Sequence, residues 1–261
     1  MKIVTWNINS IRLRLELIKI INEKYLPDVI CLQETKVEDK FFPMEAINNM
    51  GFPHVVFRGQ KSYNGVAILS KYPIINSFAV DLYNEDKRHI CGRIKNIEIH
   101  NFYVPAGGDI PDESINPKFK HKIQFVKLMQ DWFKNNRNKS DKIILLGDLN
   151  IAPHENDVWS TKQLRDVVSH TPIERSTLIN FQKSFDFIDT GRHFIPQKEK
   201  LYSWWSYRNR DWKKSNRGRR LDHLWVSSNL AGDLIETYYD RDMRSSNRPS
   251  DHIPCLLKIR S

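Results

Sequence analysis

The segment from residue 143 to residue 150 reads Ile143-Ile144-Leu145-Leu146-Gly147-Asp148-Leu149-Asn150, an apolar run that leads into two polar side chains. The apolar run predicts a buried β-strand. Because side chains alternate between the two faces of an extended chain, Asp148 and Asn150 are expected on the same side. A surface turn would carry the same residues, but the strand before them makes that interpretation less favoured.

Four further polar motifs lie beside apolar, strand-like runs. They are Trp6-Asn7, Gln33-Glu34-Thr35, Leu221-Asp222-His223 and Ser250-Asp251-His252. The first two follow their apolar runs, whereas Asp222 and Asp251 precede theirs. In a sheet with antiparallel strands, the ends of some strands and the beginnings of others meet on one rim. Such a cluster of oxygen ligands is typical of a site for a hard divalent cation.

Two helices are predicted from apolar spacing. Ser10 can cap the first, which is expected to end before Pro27. Its apolar side chains recur at helical spacing, at Ile11, Leu15, Ile18 and Ile21. The second helix is expected to begin just after Pro117 and to end in the polar stretch 135–138.

Short strands alternate with turns elsewhere in the chain. They are predicted at 54–57, 66–69, 91–94 and 97–103. Several lie close enough for hairpins, which disfavours an all-parallel sheet. The segments 106–116 and 207–220 are expected to be long surface loops. An α/β architecture with mixed sheets and outer helices follows.

Composition favours a basic protein from a reducing compartment. The 261 residues carry 41 Lys and Arg against 31 Asp and Glu, a net charge of +10 with a pI near 9.4. This surplus favours a polyanionic partner, although an ordinary basic protein would show the same balance.

Three widely spaced cysteines, Cys31, Cys91 and Cys255, are expected to be buried thiols, and none is paired at zinc-ligand spacing. With no signal segment or long apolar span, the cytoplasm is the expected location and no membrane partner is expected.

The polar residues suggest metal-assisted hydrolysis of a phosphoester. Glu34 would hold Mg²⁺ or Mn²⁺, and Asn7 would be a ligand or a supporting group. Asp148 would accept a proton from water while Asn150 donates to a phosphoryl oxygen. Each residue alone would more often be a turn residue or a solvated side chain, so the prediction rests on the combination.

His252 could orient or stabilise a phosphate only if its protonation state is controlled. A carboxylate that hydrogen-bonds to the ring provides this control, and Asp222 is the candidate. A serine hydrolase is disfavoured because the sequence has no Gly-x-Ser-x-Gly elbow, and the P-loop motif is also missing. The segment 202–214 interleaves aromatic and basic residues, including Trp204, Trp205 and Arg208. It could stack on bases and bind phosphates, or it could be core with a solvated loop. A mixture is predicted, with one tryptophan packed inward and one available to substrate.

Taken together, the five motifs resemble those of the exonuclease III family, in the endonuclease/exonuclease/phosphatase superfamily, in order and along the whole chain. The resemblance implies a four-layer α/β sandwich, with two packed mixed β-sheets flanked by helices, in a single domain over residues 1–261. It also implies a Mg²⁺-dependent base-excision-repair enzyme, with Mn²⁺ as a substitute, that acts as a monomer on double-stranded DNA. The implied activities are abasic-site (AP) endonuclease cleavage 5′ to the lesion, 3′→5′ exodeoxyribonuclease activity and 3′-end trimming.

The resemblance assigns roles by matching motif. The implied catalytic residues are Tyr103, Asp148, Asn150, Asp222 and His252. The implied residues of the metal centre are Asn7, Glu34, Asp148, Asn150, Asp251 and His252. The implied substrate-binding residues are Trp204, Leu221, Arg208 and Arg219. Ser206 stands where many relatives carry Asp, and Arg219 stands where some relatives place a pocket Trp, which leaves the balance of activities open.

Two other functions compete with this hypothesis. A DNA-binding protein that has lost catalysis would keep the fold, but the intact acidic and histidine residues argue against it. A phosphatase of inositol phosphates or sphingolipids would share the metal centre but would need no pocket for an abasic sugar. The loop containing Trp204 favours DNA.

Overall fold

The computed structural model describes residues 1–209 and 211–260. Within these ranges the strands are β1 Lys2–Asn7, β2 Val29–Gln33, β3 His54–Arg58, β4 Val66–Ser70, β5 Ile74–Phe78, β6 His89–Ile94, β7 Ile97–Tyr103, β8 Ile143–Asp148, β9 Ile188–Asp189, β10 Asp222–Val226, β11 Leu234–Tyr239 and β12 Cys255–Ile259. The α-helices are α1 Leu15–Tyr25, α2 Met44–Asn49, α3 Pro117–Asn136, α4 Thr161–Leu164, α5 Pro172–Ser184, α6 Thr190–Phe194 and α7 Trp212–Ser215. None of the helices in the described part of the chain is both long enough and apolar enough to cross a membrane.

The strands form two six-stranded sheets. The first has the order β11-β12-β1-β2-β4-β3, and the second has the order β5-β6-β7-β8-β10-β9. Each sheet is mixed, because β1 and β2 are parallel, as are β7 and β8, whereas the other paired strands are antiparallel. The predicted sandwich of two mixed sheets with flanking helices is confirmed.

Side-chain alternation along β8 explains how the layers pack. Ile144 and Leu146 point into the core between the two sheets. Ile143 and Leu145 point the other way, into a second apolar cluster with side chains of α3 and α5. A strand buried on both faces must be apolar throughout, and the run 143–146 meets this requirement.

Residues near both ends of the chain share one sheet. β1 lies between β2 and β12, with Thr5 opposite Cys31 on one side and Cys255 on the other. All three cysteines are buried free thiols, as predicted. This strand order brings the polar motifs from the two ends of the sequence into the same region.

The predicted cap of the first helix was wrong. The helix begins at Leu15 after Arg14, and Ser10 lies in the preceding loop with a φ of 88°. The Ser10 backbone N–H donates to the Glu34 carbonyl at 2.8 Å, and Ile11 is buried outside the helix. The loop therefore packs against the chain after β2, and this tertiary contact prevails over local capping preference.

The second predicted helix and the four predicted strands are confirmed. α3 begins at Pro117, with Asn116 as its cap. The segment 106–116 is irregular, as expected, but 207–220 contains the short helix α7 and is not a loop throughout.

Candidate active site

The predicted functional side chains lie together at one rim of the two sheets. Asn7 ends β1, and Glu34 directly follows the parallel neighbour β2. In the second sheet, Tyr103 and Asp222 lie opposite Asp148 on its two neighbouring strands. A 2.9 Å hydrogen bond from the Asn7 amide nitrogen to Asp148 Oδ2 joins the sheets at this rim.

Glu34 is a largely buried carboxylate with three donors around it. Its Oε1 accepts from the Asn7 amide nitrogen at 2.9 Å and from the Tyr103 hydroxyl at 2.7 Å, and its Oε2 lies 2.7 Å from Lys36 Nζ. A φ of 51° turns the backbone back after β2 in the left-handed conformation, which is uncommon for a glutamate. Burial favours the neutral form, but the charge of Lys36 and these hydrogen bonds hold the pKa of Glu34 below its usual value.

Tyr103 is a hydroxyl donor in this environment. Burial raises its pKa, and the nearby Glu34 and Asp148 carboxylates raise it further, to well above the usual value for tyrosine. The phenol therefore stays protonated at neutral pH and continues to donate to Glu34.

The Asn7 side chain lies between two carboxylates with its nitrogen toward them. Nδ2 donates to Glu34 Oε1 and to Asp148 Oδ2, each at 2.9 Å, whereas Oδ1 accepts from the Asn9 backbone N–H at 3.1 Å. A metal ion takes the amide oxygen as its ligand, not the nitrogen. In this arrangement Asn7 links the two carboxylates, and its role as a metal ligand stays a prediction.

Asp148 and Asn150 meet through a turn. β8 ends at Asp148, and Asn150 has a left-handed φ of 54°. The Asn150 backbone N–H donates to Asp148 Oδ1 at 2.9 Å, and its amide nitrogen donates to the Val104 carbonyl at 2.8 Å and to Asp148 Oδ2 at 3.2 Å. The side chains are adjacent as expected, but strand alternation was the wrong reason, because the Asp148 carboxylate closes a local turn.

Asp148 is a carboxyl group that holds its proton more tightly than usual. Burial raises the pKa of Asp148, and the neighbouring Asp222 and Glu34 carboxylates raise it further, against the opposing effects of His252 and the Asn7 hydrogen bond. A carboxylate with a raised pKa is a stronger base than an ordinary aspartate.

His252 contacts one carboxylate directly and faces another. Nδ1 donates to Asp222 Oδ2 at 2.7 Å, and Nε2 lies 3.7 Å from Asp148 Oδ2. Ser203 Oγ also donates to Asp222 Oδ2, at 2.6 Å. Burial disfavours the imidazolium, but the Asp222 and Asp148 carboxylates outweigh it and raise the pKa of His252, so the ring is charged at neutral pH.

Asp251 lies beside this group and has its own donors. Trp204 Nε1 donates to its Oδ2 at 2.9 Å, and Asn9 Nδ2 donates to its Oδ1 at 3.0 Å. The Asn9 amide oxygen in turn accepts from Lys36 Nζ at 2.7 Å. Asn9 thus connects Asp251 with Lys36, a link that sequence reasoning missed although Asn9 and Lys36 lie directly beside two of the motifs.

The oxygen atoms at the rim are suitable ligands for a hard divalent cation. Lys36 Nζ lies 2.7 Å from both Glu34 Oε2 and Asn9 Oδ1, so oxygen atoms already surround a positive charge here. Carboxylate and amide oxygens are the ligands that Mg²⁺ and Mn²⁺ prefer. A neighbouring group of potential ligand atoms, all within 4.8 Å of one another, comprises Asp148, Asp222 and His252. Asp222 Oδ1 is buried there without a hydrogen-bond partner among the residues described.

The rim opens into a cleft of about 1040 Å³. The predicted substrate-binding residues that line it are Trp204, Leu221, Arg208 and Arg219. Trp205 is 1% exposed and packs in the core between the sheets. One tryptophan is therefore inward and the other faces the cleft, as predicted. Arg210, in the same basic segment, lies outside the described residues.

Comparison with known protein families matches residues 4–252 to the Endonuclease/Exonuclease/phosphatase family. The chain belongs to this family. The matched range contains all five polar motifs, from Asn7 to His252.

Full-length relatives place the chain within the exonuclease III branch of the family. The exodeoxyribonuclease III of Haemophilus influenzae is 34% identical over 275 residues, which cover 100% of both chains. The solved AP endonuclease of Archaeoglobus fulgidus is 30% identical and covers 100% of both chains with a TM-score of 0.93. The 3′ phosphatase NExo of Neisseria, solved bound to a product DNA hairpin, is 30% identical with a TM-score of 0.91, again over 100% of both chains.

A buried lysine supports the candidate active site, and the sequence analysis did not identify it. Lys122 Nζ lies 2.5 Å from Glu174 Oε1 and donates to the Asn150 carbonyl at 2.8 Å. The bond to Asn150 stabilises the turn that holds its amide beside Asp148. The available signal was position, because Lys122 follows Phe119 by three residues and so lies on the apolar face of α3.

A second group of metal-type side chains, Cys91, Glu98 and His100, lies on the outer face of the second sheet. The Val80 backbone N–H donates to His89 Nδ1 at 3.0 Å, so His89 presents Nε2–H to His100 Nδ1, also at 3.0 Å. His100 then presents Nε2–H to Glu98 Oε1 at 2.7 Å. Burial lowers the pKa of both histidines. Both histidines are thus neutral, and each of their ring nitrogens already has a partner.

Proposed function

We propose that this chain is a Mg²⁺-dependent DNA-repair hydrolase that cleaves the phosphodiester 5′ to abasic sites and trims 3′ ends of double-stranded DNA. Mn²⁺ would substitute for Mg²⁺. The observation that carries the proposal is the juxtaposition of His252, paired with Asp222, and Asp148, which Asn7 links to Glu34. Relatives named exodeoxyribonuclease III, AP endonuclease and 3′ phosphatase support DNA as the substrate. We further infer a single domain over residues 1–261 that acts as a monomer in the cytoplasm.

Asp148 would act as the general base. It accepts a proton from the attacking water, and its raised pKa makes that transfer more favourable than for an exposed aspartate. Asn150 would donate to a phosphoryl oxygen as negative charge develops. Its 3.2 Å bond to Asp148 is the weaker of its two amide bonds and is the one a phosphate would replace. The 2.8 Å bond to the Val104 carbonyl keeps the amide oriented.

His252 would bind the scissile phosphate as an imidazolium. Asp222 keeps the ring charged and fixes its orientation through Nδ1, which leaves Nε2–H to donate to a phosphate oxygen. Tyr103 stays protonated and holds Glu34 in place.

Glu34, Asp148 and Asp251 would hold a divalent cation, with Asn7 as a further candidate ligand. When bound there, it supplies Lewis-acid polarisation of a phosphoryl oxygen. Without the cation these buried carboxylates would repel the phosphate.

Trp204 and Leu221 would receive a flipped-out abasic sugar, and Arg208 would contact the DNA backbone.

The direct test is incision of a duplex that carries one tetrahydrofuran abasic analogue. We expect incision 5′ to the analogue in Mg²⁺ and none in EDTA. No incision in Mg²⁺, or equal incision in EDTA, would refute the proposal. An Asp148→Asn variant should bind the duplex but lose most of its activity, and full activity in that variant would refute the role of Asp148.

Substrate class is tested in parallel. Faster hydrolysis of a soluble phosphomonoester than of the abasic duplex would favour the phosphatase alternative. Tight duplex binding without turnover in any divalent cation would favour a DNA-binding protein that has lost catalysis.

A further inference from the structure

A groove on the outer face of the first sheet lies at the end of the strands opposite the rim. It has a volume of about 440 Å³ and lies between the end of α1 and side chains of β1, β12 and β11. Lys2 begins β1 at the groove, and Asn7 ends the same strand at the rim. At about 3.3 Å per residue, these two residues lie about 17 Å apart along the strand. A ligand in the groove would therefore not occupy the cleft.

The register of the sheet arranges the side chains of the groove in two rows. Lys2 lies opposite Lys258, and Lys258 lies opposite Glu236 on β11. Two residues away along the strands, Leu256 lies opposite Tyr238. Leu256 packs in the apolar cluster that contains α1, and alternate residues of a strand point to the same face, so both rows face outward, about 7 Å apart. The groove thus presents a charged row beside an apolar row.

The charged row contains a repulsion that the fold does not fully offset. Lys2 and Lys258 are like charges directly opposite each other on neighbouring strands, an arrangement that destabilises a sheet. Glu236 lies 3.3 Å from Lys258 Nζ, but the side chains of Lys258 and Glu236 are 42% and 64% exposed, so solvent screens this pair. A carboxylate supplied by a ligand would offset the remaining repulsion.

A third ammonium group lies beyond the apolar row. Glu236, Tyr238 and Asp240 follow one another at two-residue intervals along β11 and just past its end. Lys24 Nζ donates to Asp240 Oδ2 at 2.8 Å, and the Lys24 side chain is 43% exposed whereas that of Asp240 is buried. Accessible positive charges therefore lie on both sides of the apolar row.

Tyr25 holds the wall of the groove in place. Its hydroxyl donates to Asp240 Oδ2 at 2.7 Å, and its carbonyl accepts from Lys2 Nζ at 2.9 Å. The centre of its ring lies 5.8 Å from that of Tyr238. Burial and the hydrogen bond to Asp240 raise the pKa of Tyr25, so the phenol stays protonated and keeps this contact. A preformed groove loses little conformational freedom when it binds a ligand.

The chemistry of the groove favours an acidic peptide over two other occupants. A second copy of the chain would carry the same net charge of +10, and the two molecules would repel each other. A nucleic-acid strand would place phosphates near Glu236 and would leave Leu256 and Tyr238 without an apolar partner. Carboxylate side chains that alternate with an apolar one match both rows.

We propose that the groove binds a short, extended acidic segment of a partner protein, in which an apolar side chain lies two positions from a carboxylate on either side. Residues two positions apart in an extended chain point the same way and lie about 7 Å apart, which matches the spacing of the rows. The apolar side chain would cover Leu256 and Tyr238, and the carboxylates would meet Lys258 and Lys24. The partner would bind whether or not the cleft holds DNA.

The test is calorimetric titration of the whole chain with the peptide acetyl-Ser-Asp-Ser-Leu-Ser-Asp-Ser-amide. We expect saturable binding that weakens as salt is added, because charges contribute to it. Replacing the leucine by serine, or both aspartates by asparagine, should weaken binding about tenfold or more. The peptide acetyl-Ser-Ser-Asp-Leu-Asp-Ser-Ser-amide has the same composition but the wrong spacing, and it should bind about tenfold more weakly or not at all.

Variants of the chain locate the binding. Lys258→Glu should weaken binding of the first peptide about tenfold or more, because it places a carboxylate against the ligand's carboxylate. Tyr238→Ser should weaken it about fivefold or more by removing apolar contact. The matched controls are Lys134→Glu, on the exposed face of α3 beside the second sheet, and Tyr83→Ser, where the tyrosine is 45% exposed against 48% for Tyr238. Both controls should leave Kd unchanged.

Four results would overturn the inference. They are no saturable binding by the natural chain, equal binding of the two peptides of the same composition, an unchanged Kd in both groove variants, and competition between the peptide and an abasic duplex in EDTA, which would place the peptide in the cleft. Displacement of the peptide by a short oligothymidylate that Lys258→Glu prevents would make the groove a nucleic-acid surface instead. A dimer in sedimentation that Tyr238→Ser dissociates would make it an interface between two copies. Should Lys258→Glu fail to fold, Tyr238→Ser and the peptide variants decide.

Discussion

Asp222 determines the charge of His252, because the two side chains share a short hydrogen bond in a buried environment. Burial alone would lower the pKa of His252, and the net shift is upward only because carboxylates are adjacent. Ser203 holds Asp222 from the other side, through its hydroxyl and through the backbone N–H groups of Leu221 and Asp222 that donate to it. The protonation state of the histidine is thus built into the fold.

Replacing Asp222 should alter the pH dependence of the reaction as well as its rate. In the proposed function His252 binds the phosphate as an imidazolium, so activity should be lost as pH rises through the pKa of His252. Asp222 raises that pKa, and Asp222→Asn should therefore move the loss to lower pH. We also expect kcat to fall about 100-fold or more. The profile of kcat/KM against pH measures both effects.

A matched control is Glu236→Gln on the exposed strand β11, which removes one negative charge far from the histidine. It should leave the basic limb of the pH profile in place. An unshifted basic limb in Asp222→Asn would contradict the role assigned to the carboxylate.

Glu34→Gln should weaken metal binding more than it weakens DNA binding. The substitution keeps the size of the side chain but removes a negative charge from the oxygen donors. The Mg²⁺ concentration for half-maximal activity should rise about tenfold or more, and direct Mn²⁺ binding, followed by its paramagnetic resonance signal, should weaken in parallel. Glu45→Gln, on the exposed face of α2, should change neither quantity. Unchanged Mn²⁺ binding in Glu34→Gln would remove Glu34 from the metal centre.

At the scale of elements, the sequence predicted what depends on local pattern and missed what depends on distant contacts. α3 was predictable because Pro117 and an apolar face mark it locally. The start of α1 was not, because Arg14 is held by the carbonyls of Ile8, Arg248 and Pro249, two of which are more than 230 positions away. The partners of Lys122 were hidden for the same reason. The sequence identified the side chains at the rim. Their hydrogen-bond partners could not be predicted, because those depend on the order of the strands in the sheets.

A buried ion network joins the segments that flank β10. Arg220 forms ion pairs with Asp157 and Asp189, and Arg192 also pairs with Asp157, at 2.5 Å. Burial opposes ionisation of Asp157, but the charge of Arg220 and its hydrogen bonds outweigh it and lower the pKa of Asp157 to about 2. The network holds the chain directly before Leu221 and Asp222, and so supports the site.

Asp157→Asn should destabilise the protein by about 3 kcal/mol or more, because it leaves buried Arg220 with one carboxylate fewer. Urea unfolding measures the loss. Because the folded pKa of Asp157 lies below its unfolded value, its ionisation stabilises the fold above about pH 4, and this stabilisation is lost as pH falls from about 4 to about 2. The pH dependence of stability in that window should be shallower in Asp157→Asn than in the natural chain.

Asp186→Asn makes the same chemical change in an exposed ion pair. Asp186 lies 2.6 Å from Lys139, and both side chains are more than half exposed. Solvent screens such pairs, so the loss should not exceed about 1 kcal/mol. Equal destabilisation by the two substitutions would show that burial of the Asp157 network is not what matters.

At the scale of the whole molecule, the charges are unevenly arranged. The net charge is +10, yet the rim concentrates Glu34, Asp148, Asp222 and Asp251 at the base of the cleft. The exposed residues Arg208 and Arg217 lie in the same cleft. These arginines and the overall positive charge would attract a polyanion. In the proposed function, its reacting phosphate would approach the carboxylates at the bottom of the cleft only together with a divalent metal ion. The field of the protein and the demand for metal are therefore complementary.

Duplex binding should be strongly weakened by salt. Each phosphate contact releases counterions, so the logarithm of the association constant should fall linearly with the logarithm of salt concentration, with a slope of about −0.9 per contact. Substituting both Arg208 and Arg217 by Gln should make the slope less steep by about 2. Lys139→Gln with Lys142→Gln is the matched pair: both residues are exposed at the start of β8, opposite the end that carries Asp148, and the slope should not change. Anisotropy titrations in EDTA at several salt concentrations measure all three slopes. Equal slopes for the two double variants would mean that net charge, and not the cations of the cleft, governs binding.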